Sequence, residues 1–199
     1  VAKFIEHGLA GFGTTGTGTG WVEVICGSMF SGKTEELLRR LRRAQIAHQR
    51  VEIFKPAFDS RYHVTDVVSH NRQSMPSKAV DHASDILSAA TGFEVIGIDE
   101  AQFFDEDLPS VCRELANLGK RVVIAGLDMD SSGVPFGPMP QLMAEAEFVT
   151  KVNAICMQCG AMAAYSFRLV PSAQQKMLGE ADAYEARCRK CFLQGMRGR

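Results

Sequence analysis

Trp21-Val22-Glu23-Val24-Ile25-Cys26-Gly27-Ser28-Met29-Phe30-Ser31-Gly32-Lys33-Thr34 joins an apolar, β-branched run to a glycine-bounded turn, and its last eight residues fill every defining position of GxxxxGK[ST]. The first six residues predict a strand. Beyond them Leu37, Leu38, Leu41 and Ala44 recur at helical spacing, with Glu35 and Glu36 four positions before Arg39 and Arg40, so a helix is expected from Thr34 to about His48. Strand, Gly-Lys-Thr turn and helix in this order make a phosphate-binding loop. Glycines let the backbone curl until several N–H groups converge on a phosphate. The helix N-terminus adds positive potential, Lys33 neutralises β and γ oxygens, and Thr34 offers a hydroxyl to Mg2+. Gly27, Ser28, Met29, Phe30, Ser31, Gly32, Lys33 and Thr34 are therefore the candidate ATP-binding residues.

Working outward, strand-like runs recur at 51–54 (VEIF), 94–99 (EVIGID) and 121–127 (RVVIAGL), with helical stretches near 81–90 and 106–118 between them. That alternation predicts an α/β fold of the P-loop NTPase kind, a parallel sheet flanked by helices. Residues 95–98, VIGI, end in Asp99-Glu100, the Walker B arrangement of an apolar strand delivering carboxylates beside the phosphate loop. Asp99 can hold Mg2+ together with Thr34, and Glu100 can face an acceptor. Phosphoryl transfer needs mainly alignment, charge neutralisation and one base, which Lys33, Thr34, Asp99 and Glu100 supply. Water as acceptor would make an ATPase; a hydroxyl would make a kinase.

The 199 residues are 46% hydrophobic with a formal net charge of −1, enough for one α/β domain plus a small module and without a charge bias toward polyanions or membranes. No apolar run reaches the roughly 18 to 20 residues of a membrane span, so a cytoplasmic protein is expected. Residues 1–20, rich in Gly and Thr from 8 onward, read as a flexible tail, 21–150 as the P-loop domain, 151–191 as a zinc-binding lid domain and 192–199 as a basic C-terminal tail. The arginines at 39, 40, 42 and 43 read as a solvated helix face, partly paired internally.

Cys156 and Cys159, then Cys188 and Cys191, form two CxxC pairs, whereas Cys26 and Cys112 stand alone. The pairs fit a four-cysteine zinc ribbon, in which a closed tetrahedron leaves no position for a reacting water and makes the metal structural; unlinked thiols or a redox pair are the other reading. Residues 160–187 would then be a lasso-like lid loop pinned at both ends.

The stretches GSMFSGKTEEL (27–37), KPAFDSRY (55–62), SHNR (69–72), IDEAQFF (98–104), AGLDMD (125–130), PFGPM (135–139) and YEARCRKC (184–191), in this order, resemble the thymidine kinases of the human cytosolic type and their bacterial relatives. The resemblance implies Glu100 as the catalytic base for the 5′-hydroxyl, Arg61 near the transferred phosphoryl group, and Met29, Phe103, Leu127, Phe136 and Tyr184 around the nucleoside base. Ser166 would stand near the thymine methyl; His70 and Arg72 belong to the pattern without a derivable role. ATP and thymidine as substrates, a homotetramer and feedback inhibition by thymidine triphosphate are implied in the same way. The chain departs from the family at Ser131-Ser132, where an aromatic is usual, and at Ser28, where proline is usual.

Two other functions stay open on the residues alone. One is a P-loop kinase of another nucleoside. The other is a zinc-ribbon nucleic-acid-binding ATPase using Arg187, Arg189, Lys190, Arg197 and Arg199, although no nucleic acid partner is expected from the charge balance.

Overall fold

The computed structural model describes residues 18, 20–57, 66–68, 74–170 and 183–198. Arg61, His70, Arg72 and the central part of the expected lid, 171–182, lie outside the described residues, as do 1–17 of the expected tail. Gly20 belongs to the folded part, since its N–H donates to Ala116 O at 2.7 Å.

Six strands form one sheet in the order β5-β2-β6-β7-β1-β8, all pairs parallel. They are β1 (Trp21–Gly27), β2 (Val51–Pro56), β5 (Lys78–Val80), β6 (Val95–Ile98), β7 (Arg121–Leu127) and β8 (Phe148–Val152). Strands β3 (Asp66–Val68) and β4 (Ser74–Pro76) pair antiparallel in a separate small sheet, and Met75 of β4 packs into the core with Leu37, Leu38 and Leu41. Helices α1 (Lys33–Ile46), α2 (Ser84–Ala89), α3 (Leu108–Asn117) and α4 (Met139–Glu145) cover the sheet.

Side-chain alternation sorts the core into two layers. Val22, Val24 and Cys26 of β1 join Val122 and Ile124 of β7 with Leu108, Val111, Leu115 and Leu142. Ile25, Val123 and Ala125 point the other way, onto Leu37, Leu38, Leu41 and Ala44 of α1. The helical spacing of those four residues is thus the stripe that seats α1.

Several further expectations change. Arg40 is not on a solvated face: it is 7% exposed and donates to Glu23 at 2.9 Å, Glu36 at 2.7 Å and Thr150 at 2.9 Å. Glu23, in the middle of β1, is fully buried and takes two further bonds from Arg121, at 2.6 and 3.1 Å, and one from Trp21 Nε1 at 2.7 Å. The P-loop sheet does not end at 150, because β8 continues to Val152. Residues 192–197 are the remainder of helix α5 (Arg189–Arg197) rather than a tail, and Phe192 is 4% exposed. An apolar residue facing the module outweighs the basic composition that suggested solvent.

The cysteine module is built from β9 (Ala154–Ile155), β10 (Met162–Ala163), β11 (Tyr165–Arg168), β12 (Tyr184–Arg187) and α5. Strands β11 and β12 pair antiparallel from Tyr165↔Arg187 to Arg168↔Tyr184, so the segment between the cysteine pairs is a hairpin stem and not loop throughout.

Candidate functional site

Strands β1, β6 and β7 deliver their carboxyl ends to one edge of the sheet, and the phosphate loop starts there. Gly27 has φ 151°, and a Cβ on it would collide with Val152 O of the neighbouring β8; the first glycine of the motif is demanded by that approach. Ser28 O accepts from Lys33 Nζ at 2.8 Å and from Ser31 Oγ at 2.7 Å, which closes the turn over its own lysine. Gly32, at φ 84°, precedes the first turn of α1. Phe30 and Glu100 also hold left-handed backbone, φ 62° and 53°, a conformation costing on the order of 1–3 kcal/mol that its surroundings must hold.

Thr34 Oγ1 donates to Asp99 Oδ2 at 3.3 Å, joining the loop to the end of β6, and Asp99 Oδ1 accepts the Glu100 N–H at 3.0 Å. Burial pushes the Lys33 amine below its ordinary pKa, opposed by the carboxylates of Glu100, Asp99 and Asp128. These contacts bring together the sequence candidates Lys33, Thr34, Asp99 and Glu100. Two participants were missed. Gln102, 1% exposed, donates from Nε2 to Glu100 Oε2 at 2.6 Å and accepts the Leu127 N–H at 2.8 Å. Asp128 pairs with Lys151 at 2.7 Å, and its charge, after burial itself, raises the Cys26 thiol. Gln102 lies inside IDEAQFF, yet nothing in the sequence names Leu127 as its second partner.

Of the expected nucleoside residues, Phe103 and Phe136 meet edge to face with ring centroids 5.6 Å apart. Leu127 ends β7, its N–H bound to Gln102. Tyr184 is buried in the β11–β12 stem, its hydroxyl accepting from Arg168 Nε at 3.1 Å. Ser166 is 4% exposed, and its Oγ accepts the Met29 N–H at 2.9 Å, which ties the cysteine module to the phosphate loop. Ser28 Oγ reaches Ala163 O of the same module at 3.4 Å, so this position contributes more than backbone. Ser131-Ser132 lies in a tight turn, the Ser132 N–H bound to Asp130 Oδ1 at 2.8 Å.

The sulfurs of Cys156, Cys159, Cys188 and Cys191 all lie within 4.8 Å of one another. Cys159 and Cys188 are 3.7 Å apart. Zinc at about 2.3 Å from each sulfur gives tetrahedral edges of about 3.8 Å, so the four residues fit the ion. Burial raises the Cys156 thiol, but backbone N–H groups of Cys188, Gln158 and Cys159 outweigh it and lower the thiol to about 6. The Cys191 thiol, beside Cys188, is pushed up to about 12. Four sulfurs this close cannot all be thiolates without a cation among them. Of the basic residues near this module, Arg187 stacks on Phe167 and bonds Glu185, and Arg189 lies over Tyr165. Among the described residues no helix is long and apolar enough to cross a membrane.

A phosphate loop at the sheet edge, hydrogen-bonded to a carboxylate strand and flanked by four clustered sulfurs that could hold a metal ion, defines a P-loop nucleotide-site architecture with a four-cysteine module. A sequence profile described as "Thymidine kinase" matches residues 20–192. The chain belongs to the thymidine kinase family, and membership makes it a kinase of the transferase class. It is 61% identical over 177 residues to a protein named thymidine kinase from Rhodothermus sp. (strain ITI 518), covering 89% of this chain and 83% of that one. Identity to the thymidine kinase of Bacteroides thetaiotaomicron is 59% over 174 residues, 87% of each chain. With that of Porphyromonas gingivalis it is 61% over 173 residues, 87% of this chain and 85% of the relative.

Proposed function

We propose that the chain transfers the γ-phosphoryl group of ATP to the 5′-hydroxyl of thymidine, and of deoxyuridine, in the cytoplasmic salvage of pyrimidine deoxynucleosides. The Thr34–Asp99 hydrogen bond of 3.3 Å carries this reading, because it sets the end of β6, and with it Glu100, against the phosphate loop. Lys33, bound to Ser28 O in the free protein, exchanges that carbonyl for β and γ oxygens when nucleotide enters. Glu100 accepts the 5′-hydroxyl proton; the new O5′–P bond forms as the bond from γ-phosphorus to the β–γ bridging oxygen breaks, leaving ADP. Thr34 and Asp99 would hold Mg2+, which when bound neutralises charge on those oxygens.

Met29, Phe103, Leu127, Phe136 and Tyr184 supply flat and apolar walls for the base, with Ser166 beside them and Arg61 adding positive charge near the transferred group. Cys156, Cys159, Cys188 and Cys191 would hold a structural zinc that anchors the lid. A homotetramer inhibited by thymidine triphosphate completes the reading. Labelled ATP incubated with thymidine should yield labelled thymidine monophosphate. Transfer to another nucleoside but not to thymidine would favour a kinase of that nucleoside, and turnover without any nucleoside would overturn both. Glu100→Gln should keep ATP binding while lowering transfer on the order of 10³-fold.

A further inference from the structure

We propose that Gln102 is a positioning residue for the base, its carboxamide fixing the Glu100 carboxylate and referring it to the backbone at the end of β7. The inference rests on Glu100 being the base. A carboxamide has one donating and one accepting side, and both are used in one orientation: Nε2 donates to Glu100 Oε2 at 2.6 Å, while Oε1 accepts the Leu127 N–H at 2.8 Å. Reversed, the group would set an oxygen against a carboxylate and an N–H against an N–H, so electrostatics forbid the flip.

The surroundings are shaped for this group. Gln102 is 1% exposed, and it lies against the bare backbone of β7: a Cβ on Gly126 would stand 3.0 Å from its Oε1 and 2.5 Å from Met139 Sδ. The two adjacent acids therefore have separate anchors. Asp99 is tied to the phosphate loop through Thr34, and Glu100 is tied through Gln102 to Leu127, a wall of the nucleoside site. A glutamate side chain has three rotatable bonds, and a base that is held before substrate arrives does not have to be ordered in the transition state.

The test is a double-mutant cycle read as kcat and KM separately. Gln102→Glu keeps size and an acceptor for the Leu127 N–H but sets one carboxylate against another. It should lower kcat on the order of 10²-fold, with KM for ATP and thymidine within about twofold, measured below the melting temperature that the buried like-charge pair lowers. Gln102→Met, similar in size and without a donor, should move kcat in the same direction and serves if the first variant does not fold. In a Glu100→Gln background, whose exchanged pair keeps a donor facing an acceptor, adding Gln102→Glu should leave the residual rate within about twofold, because it keeps the Leu127 bond and the positioning role runs through the Glu100 carboxylate. Wild-type kcat in either Gln102 variant, or losses that multiply in the double variant, would overturn the proposal. Full activity of Glu100→Gln alone would instead remove the base assignment on which it stands.

Discussion

The phosphate-loop edge of the sheet and the cysteine module touch each other, yet their order has different sources. Around the phosphate loop, β1 lies between two paired strands, and two apolar layers fix its direction before any ligand is present. The module has small clusters instead: Ala154, Cys156, Ala163 and Ala186 in one, Tyr165, Phe167 and Phe192 in the other. So little apolar area cannot oppose the chain entropy of the strands it joins, which is where the binding energy of a metal would enter. Packing therefore preforms the phosphate loop, whereas the cysteine module would depend on a cation among its sulfurs.

Stripping metal from reduced protein is the strongest way to break this contrast. The binding energy of a structural zinc is about 10–16 kcal/mol, so the module should lose its fold and thymidine-dependent transfer should fall to background. ATP should still bind the phosphate loop within a few-fold of its original affinity, measured by nucleotide titration. Elemental analysis of untreated protein should find one zinc per chain. Full transfer in the stripped protein would mean that packing orders both regions.

Glu23 tests the other side of the contrast. Glu23→Gln leaves Arg121 buried without its counter-charge and Arg40 with Glu36 alone, and should cost about 3–5 kcal/mol in urea unfolding. Burial itself pushes the Glu23 carboxyl up, but the bonds and charge of Arg121, the Trp21 N–H and the charge of Arg40 outweigh it and hold it below the ordinary carboxylate value. A depressed folded pKa means stability that is fully present above the unfolded carboxylate value and lost as pH falls through the folded one. Wild-type protein should thus lose stability below about pH 4, and Glu23→Gln should show a shallower acid dependence. Parallel acid curves for the two proteins would refute this.

The smallest effect belongs to the contact between the regions. Ser166→Ala removes the acceptor for the Met29 N–H and should cost about 1 kcal/mol, read as a fall of about 2–4 °C in melting temperature and a rise of up to roughly fivefold in KM for ATP or thymidine. An unchanged KM would show that loop and module are coupled elsewhere.

How much of this was legible beforehand follows from distance along the chain. The phosphate loop, Asp99-Glu100 and the two CxxC pairs could be read because their chemistry is local: the spacing of neighbouring residues is itself the geometry of the site. The sheet's central strands were legible as apolar runs long enough to rise above background, while β5, with three residues, and β8, with alternating exposure at the sheet edge, were not.

The sequence by itself determined that a phosphate-loop motif joins a strand to a helix, that carboxylates stand at a strand end, and that four thiols fall in two CxxC pairs. Tertiary structure alone decided which partners complete those groups. It buried Arg40 on Glu23, turned Ser166 toward Met29 from 137 residues away, and set Gln102 between Glu100 and Leu127. A hydrogen bond depends on a few ångströms and an angle between side chains that only the folded sheet brings together, and no pattern within a single strand or helix encodes that distance.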